Sequence, residues 1–172
     1  GALAAETNTT AEGVTLLHAP PADAAPAPGG GSSESIGGRR WRLYVFKGGR
    51  ELEGAPPIAL RGPASTFLFG RDRRVADVPT DHLSCSKQHA VIQFRRTGGG
   101  GGGGGGAAGG MTMNSSSVLP SRPYLMDLGS TNGTFLNGER LEAQRYHELL
   151  PRDVVRFGES TREFVVLMEE SV

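Results

Sequence analysis

The chain has 172 residues, room for one ordinary domain of about 100 to 150 residues plus a tail. Its 18 basic and 18 acidic residues cancel, which argues against gripping nucleic acid by bulk charge, although Arg71, Arg73 and Arg74 form a local basic patch. Cys85 is the only cysteine, so neither an intrachain disulfide framework nor a cysteine-built zinc site can form, and no apolar run reaches the ~18 residues that a membrane-spanning helix needs.

Residues 1–38 are rich in Ala, Pro, Gly and Ser, most of all from 19 to 38, and their composition predicts a low-complexity, disordered tail. Within it, residues 6–17 (ETNTTAEGVTLL) mix polar and apolar side chains as a short docking segment does. An ordered domain is expected over 39–170. It opens with WRLYVF at 41–46, whose alternation puts Trp41, Leu43 and Val45 on one face of a strand. Gly48-Gly49 and Gly62-Pro63 mark turns, with short strands expected at 57–60, 66–69, 76–78 and 88–95.

Residues 97–120 contain an unbroken glycine run, 98–106. Side-chain-free residues offset little of the entropy of ordering them, so this stretch is expected as a flexible insertion in a hairpin connection, where the cost grows only logarithmically with length. The Gly-Lys-Ser/Thr ending of a nucleotide-binding P-loop is absent. Strands resume at 123–128, then at 134–136 between the hairpin signals Asn132-Gly133 and Asn137-Gly138, and at 140–142, 147–150, 154–157 and 163–168. Many short strands with no helical periodicity indicate an all-β sandwich of mainly antiparallel strands.

Two loops carry the chemistry. In 69–89 (FGRDRRVADVPTDHLSCSKQH), Gly70 ends an apolar run and permits a sharp turn, so that Arg71 projects from a strand terminus; its planar fork suits a phosphate. Ser86 and Lys87 add a hydroxyl and a point charge. In 127–138 (DLGSTNGTFLNG), Thr131 and Asn132 precede Gly133, and the Asn amide offers both a donor and an acceptor to an extended peptide.

Taken together, Gly70-Arg71, Ser86-Lys87-Gln88-His89, Thr131-Asn132-Gly133-Thr134 and Asn137-Gly138 resemble, in order, the motif of the forkhead-associated (FHA) domain. The stretches RRWRLYVFK, GRDRRVADVPTDHLSCSKQHAVIQFR, PYLMDLGSTNGTFLNGER and QRYHELLPRDVVRFGESTREFVVL are similar to one branch, the family of Smad nuclear-interacting protein 1 and plant Dawdle. That resemblance implies an FHA-type sandwich acting as a nuclear phosphothreonine reader. It also implies partners in the pre-mRNA retention and splicing complex of the spliceosome, for which the docking-type composition of residues 6–17 offers one contact, and, for plant-like members, a role in microRNA processing.

On this reading Arg71 grips the phosphate, Ser86 hydrogen-bonds it, Lys87 supplies further charge, and Asn132 with Thr131 beside it holds the flanking main chain. Gly70, His89, Gly133, Asn137 and Gly138 structure the loops, His89 by orienting backbone through its ring nitrogens. Arg71 has a structural rival role as an ion-pair partner of Asp72 or Asp77, and Asn132 as a plain turn residue. No catalytic residue, metal ligand or cofactor is expected, because Ser86 and His89 lack any acid partner or oxyanion device. Two alternatives stay open: a structural adaptor docking through tail and sandwich, and an RNA-binding protein using Arg39, Arg40, Arg42 and the Arg71 to Arg74 cluster.

Overall fold

A computed structural model describes residues 8–28, 39–97 and 121–170. The expectations for 1–7, 29–38 and 98–120 lie outside the described residues. Within the described residues the strands are β1 (Arg39–Lys47), β2 (Arg50–Glu51), β3 (Ile58–Leu60), β4 (Thr66–Gly70), β5 (Val78–Pro79), β6 (Ala90–Arg96), β7 (Ser121–Asp127), β8 (Thr134–Leu136), β9 (Glu139–Arg140), β10 (His147–Glu148), β11 (Val154–Phe157) and β12 (Arg162–Glu170). They form two sheets: a seven-stranded one in the order β2-β1-β12-β11-β8-β9, with β3 also on β1, and a five-stranded one in the order β10-β7-β6-β4-β5. All pairings are antiparallel except β4 with β5.

Period-two burial creates the layer between the sheets. On β1 the inward residues are Trp41, Leu43 and Val45, and the outward ones are partly or fully exposed. Phe69 of β4 stacks on Phe157 of β11 across the layer, ring centroids 4.9 Å apart, and Phe164 of β12 meets both rings edge-on. Each sheet is thereby anchored to the other close to the end of β4, where the candidate site begins.

Beyond shifts of one or two residues at strand ends, as where the strands expected at 140–142 and 147–150 fall at Glu139–Arg140 and His147–Glu148, three differences from the sequence expectation have a physical reason. The strand expected at 76–78 falls at Val78–Pro79, and the proline is tolerated because β5 is a sheet edge that need not donate from that nitrogen. Strand β2 consists of two exposed, charged residues with no apolar pattern to announce it. The third difference is the tail: residues 8–28, read from composition as disordered, lie against the five-stranded sheet.

Ala24 bridges Arg95, Ala25 N donates to the Phe94 carbonyl at 3.1 Å, and Asp23 makes a two-bond ion pair with Arg95 at 2.9 and 2.8 Å. Ala25 and Ala27 are buried, and Ala27 joins the main core. Further up the tail, Leu16 packs with Leu68, Val91 and Met126 on the sheet's outer face, while Gln88 bonds Leu17 N and the Thr15 carbonyl. With both faces covered, β6 is buried continuously from Ala90 to Phe94.

Candidate phosphate-binding site

Gly70 closes β4 against the loop that precedes β6. A Cβ at this position would collide with the Lys87 carbonyl oxygen, and Gly70 is absent from the positive-φ residues, so the glycine is required by close approach of two backbones rather than by a sharp turn. The approach is cemented by hydrogen bonds: Arg71 N donates to the Ser86 carbonyl at 3.0 Å and Asp72 N to the Lys87 carbonyl at 3.2 Å. Arg71 and Ser86-Lys87 are thus neighbours by construction of the backbone.

The Arg71 side chain is exposed, and its Nε donates to the Cys85 carbonyl at 3.1 Å. This bond steers the guanidinium and leaves its terminal nitrogens as donors. The ion-pair rivals are engaged elsewhere. Asp72 binds Arg74 at 2.8 Å, Asp77 accepts from Leu68 N at 2.7 Å, and Arg73 makes a two-bond pair with Asp81. Among the described residues Arg71 makes no ion pair.

The second loop meets the first at Ser86. Thr131 N donates to Ser86 Oγ at 3.3 Å, so the hydroxyl keeps its own proton for another acceptor. Asn132 Nδ2 donates to the Ser84 carbonyl at 2.8 Å. One of the two amide N–H groups therefore straps the two loops together, and the other N–H and Oδ1 are the groups with which Asn132 can meet a peptide. Thr131 is exposed beside it, and Lys87 is exposed beyond Ser86.

Beneath the junction His89 is 0% exposed. Its Nδ1 accepts from Ser86 N at 3.0 Å and its Nε2 meets the Gly133 carbonyl at 2.8 Å. A carbonyl only accepts, so the ring is the neutral tautomer carrying its proton on Nε2. Burial pushes the His89 pKa down, against the opposing pull of the Gly133 carbonyl and Asp127.

Gly133 has φ +87° and packs under the Arg140 side chain, so both backbone conformation and space favour glycine there. Asn137 and Gly138, with φ 52° and 83°, form the two-residue turn joining β8 to β9; Asn137 also bonds Asp153 and Val154 N. These two structure that hairpin and do not converge with Arg71.

Sequence reasoning missed two supports. Asp127, almost fully buried, accepts from Gly129 N, Ser130 N, Ser130 Oγ and Thr134 Oγ1 at 2.6 to 3.0 Å, which fixes the path of the second loop. The Asp-x-x-Ser spacing of an Asx-type turn was its available signal. Ser84 links His82 Nδ1, at 2.6 Å, to Glu159 N, at 2.9 Å, and so ties the first loop to the turn before β12.

Against known proteins, the family description "FHA domain" matches residues 67–158. Over 99% of its length the chain is 46% identical to the FHA domain-containing protein DDL of Arabidopsis thaliana and 43% identical to Smad nuclear-interacting protein 1 of Mus musculus. The chain belongs to the FHA-domain family, in the branch of these two relatives. It spans 46% and 38% of their respective lengths. Among solved structures it is similar to the yeast Pml1 splicing factor, described with its integration into the RES complex. The TM-score is 0.64 and the identity 27%, over 88% of this chain and 97% of that one. The MEK1 FHA domain, at 20% identity and a TM-score of 0.57, shares the fold.

Proposed function

We propose that this FHA domain binds phosphothreonine in a protein partner, with no chemistry of its own. The observation that carries the reading is the junction at Ser86. An Arg71 guanidinium that makes no ion pair among the described residues and a Ser86 hydroxyl that accepts from Thr131 N and keeps its proton to donate stand on backbones hydrogen-bonded to each other. A phosphothreonine brings about −1.5 to −2 charges and three acceptor oxygens, and a rigid frame of converging donors matches it. Lys87 adds charge, and Asn132 Oδ1 holds the peptide main chain. Preference for threonine over serine comes from apolar contact with the γ-methyl group, typically about 1 to 3 kcal/mol.

The wider role is nuclear pre-mRNA splicing, as a subunit of a retention-and-splicing assembly, with a microRNA role in plant-like members. The nuclear name of the mouse relative and the splicing name of Pml1 support it. Residues 6–17 serve as a contact to other subunits of that assembly; Leu17, a large apolar side chain that is 61% exposed, is the residue most available for it. Phosphopeptide titration against Arg71→Ala tests the first part. Co-purification of splicing subunits with the wild-type chain and with Leu17→Asp tests the second.

A further inference from the structure

At the end of the seven-stranded sheet, Arg50, Lys47 and Arg162 are direct cross-strand partners on β2, β1 and β12. Residues directly opposite share a face, so three cations stand in one row, an arrangement that is unfavourable unless an anion accompanies it. None of the three has an ion pair among the described residues. Lys47 and Arg162 line a pocket of about 220 Å³ floored by Phe157 and Phe164.

Three residues with hydroxyls, Thr80, Ser160 and Thr161, also line it. Thr80 is 6% exposed, and its buried Oγ1 has no nitrogen or oxygen partner among the described residues; the Cys85 thiol, a weak acceptor, interacts with it. A buried hydroxyl left in this state is costly unless a ligand supplies the acceptor. The carboxylate in the wall, Asp81, is occupied by Arg73, so it does not neutralise the cations. His82 in the same wall accepts from Ser84 N at Nδ1, which leaves Nε2–H as a donor.

We infer that this pocket is a second anion site, which takes a phosphate or carboxylate group through Lys47, Arg162 and the hydroxyls of Thr80, Ser160 and Thr161. Ser84 connects it to the first site, because one residue bonds His82, Glu159 N and Asn132. The carrier of the anion is a second acidic or phosphorylated side chain of the protein held at Arg71; that identification rests on the phosphothreonine reading, whereas the pocket does not.

The test is an NMR titration of the ¹⁵N-labelled chain with inorganic phosphate, following the amides of Thr80, Ser160, Thr161 and Arg162. Saturable shifts are expected there, retained in Arg71→Ala and lost in Lys47→Met/Arg162→Met and in the volume-conserving Thr80→Val. Shifts that are absent from the wild type, that survive the double substitution, or that vanish with Arg71→Ala would overturn the pocket. In peptide binding, a second phosphate or a glutamate on a phosphothreonine peptide is expected to tighten binding about tenfold, an effect lost in the double variant while the singly phosphorylated peptide binds as before. Tightening unchanged in the double variant, or none for any spacing, would overturn the assignment of the carrier. Absence of all phosphothreonine binding would defeat the proposed function, and the phosphate titration would still decide the pocket.

Discussion

His89 donates from Nε2 to the Gly133 carbonyl at 2.8 Å and thereby joins the floor of one loop to the turn of the other. The bond needs the neutral ring in one tautomer, with Nδ1 accepting from Ser86 N. Protonating Nδ1 would set two donors against each other. Burial depresses the His89 pKa below its ordinary value of 6.5, so the folded chain binds fewer protons at this site than the unfolded chain does. The stability it confers is present above pH 6.5 and is lost as pH falls below that value. Urea unfolding at pH 7.5 and pH 5.5 is expected to give a lower midpoint at the acidic pH, and His89→Gln, which cannot titrate, a smaller difference between the two.

Asp127 is the charge that holds the second loop, with four donors converging on it. Asp127→Asn removes the charge and presents an NH₂ group to donors. It is expected to destabilise the domain by about 3 kcal/mol, as losing one partner of a buried charged network does. Denaturant unfolding checks the magnitude. The amide resonances of Thr131 and Asn132 are expected to move with it.

Gly70→Ala places a methyl group on the Lys87 carbonyl, and the atoms it meets are all backbone. A destabilisation of about 1 to 3 kcal/mol is expected from the forced shift, together with weakened Arg71 N to Ser86 hydrogen bonding. Hydrogen exchange at the Arg71 amide reads the second effect directly. Alanine at Gly138, where nothing lies within 4 Å of the added carbon, meets no such collision and has only its positive φ to contend with.

Deleting residues 1–28 uncovers Leu68, Val91 and Met126 and takes Ala27 out of the core. The loss is expected to be about 2 to 4 kcal/mol from the apolar area returned to water. Asp23→Ala alone should cost no more than about 1 kcal/mol, because the Arg95 pair is partly solvated. Thermal melts of the two variants separate these contributions.

The sandwich was legible because alternation at Trp41, Leu43 and Val45 and the short apolar runs at 134–136 and 154–157 carry their period in plain view. The two loops were legible because a charged fork after glycine and a Thr-Asn-Gly turn have few purposes together. The tail was not, since Ala25 and Ala27 bury by small size rather than by pattern, and one leucine, Leu16, carries the contact with the outer face. Nor could spacing foresee that Asn132 would direct an amide N–H to Ser84, or that Gly70 answers to the Lys87 carbonyl; both depend on how segments distant in sequence approach in space.

The most direct measurement of the central claim is a binding titration of the whole chain against a degenerate phosphothreonine peptide library, with unphosphorylated and phosphoserine controls, repeated for Arg71→Ala and Asn132→Ala. The account expects binding confined to phosphothreonine, weakened at least about tenfold by Arg71→Ala in a domain that stays folded, and weakened also by Asn132→Ala. A folded wild-type chain without phosphate-dependent binding, or an Arg71→Ala variant that binds as the wild type does, would contradict it.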